Sequence, residues 1–388
     1  MANTGNSKRG SASRSDLKVI EVRNIDYTIL ITVILLVLIG IVMVFSSSYY
    51  VASTSSKFGN NMYSLVRSQS FAAIIGVAAM LFMSNINYRY LKKFGTLFYI
   101  VSIILLIITS LFGKESGGAR RWLPLPIPGL TQFQPSELAK ISIILFVAQI
   151  ISTYKNSASS LKGLAFLGGT IGICAGIIAV GTSNLSTALI ITIIGAGMIF
   201  IASPYTAIFV IVAVLGVVAL VILLATGTGY RSKRFTAWLD PFSDPTDKGF
   251  QTIQSLYAIA SGGIFGLGLT QSRQKLGFIP EAHNDIIFSI ICEELGLVGA
   301  GLVLFLFGVL LWRILKTAIN APDLYGSLVA AGVGLMIGSQ VLVNIAVVTN
   351  SIPNTGVPLP FISHGGTSIA ILLFSVGIVL NISRYSKG

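Results

Sequence analysis

Ten long apolar runs decide what this chain can become. They fall at about 27–47, 69–85, 94–112, 136–153, 164–181, 184–202, 205–225, 285–312, 324–348 and 366–383. A bilayer core of roughly 30 Å takes about 20 apolar residues to cross as a helix. Water is absent there, so every peptide group of a spanning segment has to be satisfied within the protein. The runs therefore predict an all-α, polytopic integral membrane protein, with one membrane domain of about ten helices over residues 25–385. A content of 54% hydrophobic and 10% charged residues excludes a soluble enzyme. The first run is too long for a signal peptide and lacks a small-residue cleavage site, so it is expected to stay as an anchor.

Charge supplies the orientation. A net charge of +13 would suggest nucleic acid in a soluble protein. In a membrane protein it marks cytoplasmic loops, so no nucleic-acid partner is expected. Residues 1–24 are polar, carry Lys8, Arg9, Arg14, Lys18 and Arg23, and read as a disordered cytoplasmic tail. With the N-terminus inside, Arg89, Lys92, Lys93, Lys155, Lys162, Arg313, Lys316, Arg384 and Lys387 also fall inside, fourteen with the tail. The short outer loops hold only Lys57, Arg67, Lys114, Arg120 and Arg121. Both termini are thus expected in the cytoplasm of a multi-pass protein. Cys174 and Cys292 have neither disulfide nor zinc spacing.

Against this background the stretch Thr226–Glu294 stands out, with seven of the thirteen acidic residues and the aromatic anchors Tyr230 and Trp238. Its first part, 226–284, reads as a large extracytoplasmic loop between the seventh and eighth helices. It ends PEAHNDIIFSIICEELG. His283 and Asp285 lie at the outer mouth of the eighth span, with Asp285 expected in its first turn, where the helix dipole favours a carboxylate. A carboxylate there suits a general base or a ligand for a divalent ion. Glu293 and Glu294 lie deeper and are expected to pair within the bundle or to cap loop backbone.

Ionisable groups in a span cost a few kcal/mol each on insertion scales and need a reason. The fourth span opens QPSELAK, with Pro135 at a helix start, Ser136 as a cap, and Glu137 and Lys140 three apart on one face. That pair is either structural or part of a site. Arg120 and Arg121, next to Trp122, either anchor the interface or clamp a phosphate through bidentate forks. The last outer loop, TNSIPNTGVPLPFISHGGTS, has no Lys, Arg, Asp or Glu but three prolines and three glycines. It reads as a shaped wall whose backbone is buried in protein or lines a polar cavity. The glycines of SGGIFGLG have the wrong spacing for a dinucleotide fingerprint.

GARRWL with QPSELAK, the segment from YRSKRFTAWLDPFSDP to SRQK, PEAHND and TGVPLPFISHGGTS together resemble the SEDS family (shape, elongation, division and sporulation), over the whole span from first helix to last. The DPFSDP, SRQK and PEAH segments look more like its FtsW and SpoVE branch than its RodA branch. The resemblance implies a ten-helix peptidoglycan glycosyltransferase that polymerises lipid II at the outer face of the bacterial cytoplasmic membrane. It implies a class B penicillin-binding protein as partner, within the division or sporulation machinery. It also implies that Asp285 is the catalytic carboxylate and that Glu137 and Lys140 belong to the functional core. A divalent cation, Mg²⁺ or Mn²⁺, is expected at Asp285. Diphosphate contacts are expected from Arg120, Arg121 and Lys140, then Arg231, Arg234, Arg273 and Lys275, with His283, Ser363 and His364 completing the substrate site. Two positions depart from the family pattern: Asn184 stands where an aspartate is usual, and His364 where a tyrosine is. The rival readings are a lipid II flippase and a non-catalytic scaffold.

Overall fold

The computed structural model describes residues 24–386 except 56–58, 117–118, 128–129, 155, 206, 208–215, 217–237, 244–248 and 277–281. Its helices are α1 (Tyr27–Thr54), α2 (Ser64–Asn85), α3 (Arg89–Phe112), α4 (Pro135–Thr153), α5 (Leu161–Gly176), α6 (Leu185–Ala202), α7 (Phe250–Ser261), α8 (Ile287–Ile319), α9 (Leu324–Val348) and α10 (Gly366–Tyr385). Among the described residues nine helices are long and apolar enough to span a membrane, α5 being extended by a π-helical turn, Ile177–Gly181; α7 is too short. The expected seventh span, 205–225, and the tail fall almost wholly outside the described residues.

The bundle is patterned for lipid. Along α1, Ile31, Leu35, Leu38 and Val42 are exposed at helical spacing, while Val33, Leu36, Val37, Met43 and Val44 are buried. Helix α2 packs along α10, α3 along α4, and α9 against α8, α6 and α4. One end of the bundle is basic. There Asp26 caps α1 and binds Arg313 at 2.6 Å, while Asp323 caps α9 and accepts from Tyr88 and Arg89.

Three local features depart from expectation. Three short strands, β1 (Lys114–Ser116), β2 (Ala119–Ile127) and β3 (Leu130–Phe133), form a small antiparallel sheet in the order β1-β2-β3. Its β2–β3 register slips between Pro124 and Ile127, where Pro124 and Pro126 cannot donate to a ladder. Gln134 takes the N-cap position of α4 without a side-chain capping bond and Pro135 is the first helical residue, so Ser136 is not the cap but a buried residue of the first turn. Helix α8 starts at Ile287, which leaves Asp285 in the turn before it and not in its first turn.

Helix α8 is also broken. Gly296 has φ 66° and ψ −166°, a conformation closed to residues with a Cβ. The break frees backbone groups on both sides, and the segment after α7 takes them up. Leu267 N and Gly268 N donate to the carbonyls of Glu293 and Glu294, and Leu297 N and Val298 N donate to those of Gly263 and Ile264. Irregular backbone inside a membrane protein is tolerated when protein groups satisfy it in this way. Residues 262–276 therefore form a strap along the flank of α8.

Candidate active site

The site gathers at the end of the bundle opposite Asp26 and Arg313, and the turn 282–285 is its centre. His283 and His364, the chain's two histidines, meet with ring centroids 5.7 Å apart in an edge-on arrangement. His364 N donates to His283 O at 2.9 Å. Ser363 Oγ donates to Asn284 O at 2.6 Å and accepts from Leu359 N. Asn344 Nδ2, from α9, donates to Asp285 O at 2.6 Å and to Val357 O at 2.8 Å. The Asp285 side chain is half-buried, and its Oδ2 lies 3.6 Å from where a Cβ on Gly356 would stand. So Asp285, His283, Ser363 and His364, far apart in sequence, are brought together by the proline-rich loop. Ser363 holds backbone with both of these bonds, and the hydroxyl expected at substrate is engaged there.

The loop is anchored on every side, as its composition requires. Gln69 of α2 donates to Ser363 O and accepts from Gly365 N, so its amide straddles His364. Ser186 and Ser255 donate to the carbonyls of Thr355 and Val348, and Trp238 donates to Asn350 O. At its deepest point the loop meets Gly40 of α1, where a Cβ would stand 2.5 Å from Phe361 O. Close approach of backbone to helix requires glycine there. A cavity of about 10 Å³, room for about one water, lies between α9, α10 and this loop, lined by Gln340, Pro358, Ser363 and Ser368.

The other expected residues divide. Glu137 and Lys140 form the ion pair their spacing implied, 2.8 Å apart and nearly inaccessible, and Ser368 at the start of α10 donates to Glu137. Arg120 and Arg121, as successive residues of a strand, point to opposite faces. Arg120 donates to Leu111 O at the end of α3, and Arg121 to Thr182 O and Ser183 O before α6. Each holds the carbonyls of a different helix end. Arg273 is exposed on the strap, its backbone N–H bound to Glu293. Lys275 is different from expectation: it is fully buried and paired with Glu294 at 2.6 Å, with Ser46 Oγ 3.0 Å away. Glu294 further accepts from Ser46 Oγ, Thr270 N and Ser272 N, and Glu293 from Ser272 Oγ and Arg273 N. Glu294 therefore pairs with Lys275, and both deep glutamates cap loop backbone, as their depth implied. Arg231 and Arg234 lie outside the described residues.

The departure at Asn184 has a structural account. Its side chain caps α6 by accepting from Thr187 N, a place where Asn and Asp serve about equally. Among the described residues no three His, Cys, Asp or Glu side chains converge as a metal group. Asp285 offers one carboxylate, and Mg²⁺ is commonly held by one or two carboxylates plus substrate phosphates. A cation held by Asp285 together with substrate phosphates is compatible with that chemistry. A search of the sequence for ionisable groups misses Asn344, Gln69 and Ser46, whose signal is a polar side chain within or beside an apolar run.

A family profile described as "Cell cycle protein", spanning FtsW, RodA and SpoVE, matches residues 26–388. The chain is 40% identical over 371 residues to stage V sporulation protein E of Bacillus subtilis, covering 93% of this chain and 98% of that protein. It is 35% identical to the probable peptidoglycan glycosyltransferase FtsW of Geobacter sp. (strain M18), covering 95% and 99%. Among solved structures it is similar, with a TM-score of 0.76 and 28% identity, to a chain described under "Structural coordination of polymerization and crosslinking by a peptidoglycan synthase complex", covering 93% and 98%. It is also similar to the crystal structure of Thermus thermophilus RodA, with a TM-score of 0.67, 25% identity and coverage of 93% and 97%.

Proposed function

The chain belongs to the FtsW, RodA and SpoVE family of cell cycle proteins and is a peptidoglycan glycosyltransferase, and we propose that it polymerises lipid II with Asp285 as its catalytic carboxylate. The observation that carries this reading is the placement of the carboxylates. Glu137, Glu293 and Glu294 are buried, whereas Asp285 is half-buried at the mouth, on a turn fixed from three directions. Such a group is placed to take a proton from an incoming hydroxyl.

In the proposed reaction the 4-hydroxyl of the acceptor sugar attacks the anomeric carbon of the donor. Asp285 takes the hydroxyl proton as the new C–O bond forms, and the undecaprenyl diphosphate departs with the bonding pair. Arg273, exposed on the strap, would contribute positive charge toward that diphosphate. A divalent cation at Asp285, when bound, would supply charge neutralisation to the leaving group. The histidine pair shapes the mouth, and the lipid tails stay in the bilayer against the exposed apolar helix faces. The site end is assigned to the outer face because the short loops at the opposite end carry most of the Lys and Arg.

We further propose a class B penicillin-binding protein as the working partner; the solved chain it resembles is described as part of a peptidoglycan synthase complex that coordinates polymerization and crosslinking, which supports this reading. The test of the catalytic assignment is purified Asp285→Asn protein incubated with lipid II and Mg²⁺ or Mn²⁺. It should fold and make no glycan strands; strands at the wild-type rate would refute Asp285 as the base. In the same assay, wild-type protein that moves lipid II across vesicles but makes no polymer would favour the flippase reading.

A further inference from the structure

Three successive carbonyls of the catalytic turn are each held by one donor from elsewhere: His283 O by His364 N, Asn284 O by Ser363 Oγ, and Asp285 O by Asn344 Nδ2. Two of these donors belong to the proline-rich loop itself. The third does not, and it is the one that holds Asp285. We infer that Asn344 is a positioning residue, which sets the Asp285 carboxylate by clamping its backbone and the last loop to α9.

Asn344 is fully buried on α9, 20 residues past Leu324, so roughly 30 Å from the helix start. Its amide spans two chain segments, reaching Asp285 O on the turn before α8 and Val357 O on the loop. Only the nitrogen can occupy that place, since an amide oxygen there would face two carbonyl oxygens. The surrounding helix is apolar, and a buried amide in it costs free energy unless its hydrogen bonds are made. The two N–H hydrogens meet that condition, tying down two carbonyls without adding a charge beside the carboxylate, while the amide oxygen is buried without a hydrogen bond, a cost the two donated bonds offset. The backbone of Asp285 is thereby fixed while its side chain remains at the mouth.

This inference rests on the assignment of Asp285 as the catalytic carboxylate, so Asp285→Asn is assayed in parallel. The test is steady-state polymerisation of the lipid-linked disaccharide substrate by full-length Asn344→Ala protein, with rates normalised to folded protein. A misplacement of about 1 Å at the reacting group is worth up to about 100-fold, so kcat should fall roughly 10- to 100-fold with KM within about twofold. The unfolding midpoint should stay within a few degrees of wild type. An unchanged kcat per folded molecule, or a rise in KM that accounts for the loss, would overturn the proposal. Should Asn344→Ala fail to fold, Ser363→Ala, which releases the neighbouring carbonyl, should still lower kcat at constant KM, and no change there would overturn it equally. If Asp285→Asn protein polymerises normally, the assignment of Asp285 fails; if it is inactive while Asn344→Ala is fully active, only the positioning role fails.

Discussion

Replacing Lys275 with methionine separates two jobs that one lysine can have. From the sequence it is a candidate for diphosphate; in the structure its ammonium is 2.6 Å from Glu294 with both side chains inaccessible. Removing one partner of a buried ion pair costs about 3–5 kcal/mol, because the other charge stays buried without its counter-charge. Glu294 keeps donors from Ser46, Thr270 and Ser272, which continue to solvate the carboxylate, so the lower end applies. A loss of about 3 kcal/mol corresponds to a fall of roughly 4 °C in the unfolding midpoint for a chain of this size. Thermal unfolding in detergent, followed by tryptophan fluorescence, measures it. The double variant Lys275→Met with Glu294→Gln removes the uncompensated charge and should regain at least half of the loss. KM for lipid II should change little in the single variant once folded protein is normalised. An unchanged midpoint together with a KM raised tenfold would refute this reasoning and return Lys275 to the substrate.

Gly296→Ala should destabilise by about 2–3 kcal/mol, since its φ of 66° is held by the strap and a Cβ there would collide with Gly266 N; the same thermal assay reads it. At the basic end, burial acts to raise the Asp323 carboxyl, but the bonds from Tyr88, Gly326 and Arg89 outweigh it and hold the group below its ordinary value. A depressed carboxyl contributes stability that is fully present above its unfolded value of about 3.9 and is lost as pH falls through the lower folded value. The midpoint gap between wild type and Asp323→Asn should therefore be constant from neutral pH to about 5 and close below about 4; a gap that widens in acid contradicts the sign.

The spans were legible in the sequence because lipid imposes one rule on long segments, and residues facing it are apolar all along α1 and α3. The Glu137–Lys140 pair was equally readable, being a contact within one helix. What escaped were features that depend on two segments meeting. The break at Gly296 needs the strap at 262–268 to satisfy its backbone, and nothing in ELG alone announces it. Lys275 looked available because its partner, Glu294, is 19 residues away and its third contact, Ser46, lies on the first helix. Arg120 and Arg121 looked like a pair because adjacency in sequence hides the alternation of a strand. Asp285 was singled out through the family pattern and its place at the mouth, and Ser363 with it, but Asn344 and Gln69, which hold the turn and the loop, were not.

Those holding groups share a chemistry. Asn344, Ser363 and Gln69 are neutral, and each donates to a backbone carbonyl of the turn or the loop. A charged clamp in their place would have carried the insertion cost of an ionisable group and would have placed a second charge next to Asp285. The charged pairs are set apart: Lys140 with Glu137 toward α10, and Lys275 with Glu294 under the strap. A membrane-embedded transferase has to present one carboxylate to water and a diphosphate while the surrounding backbone stays dry. Neutral amides and hydroxyls achieve that because they fix position without competing for the proton or the substrate's charge. The same division explains why a charge-led reading of the sequence finds Asp285 and stops one layer short of what holds it.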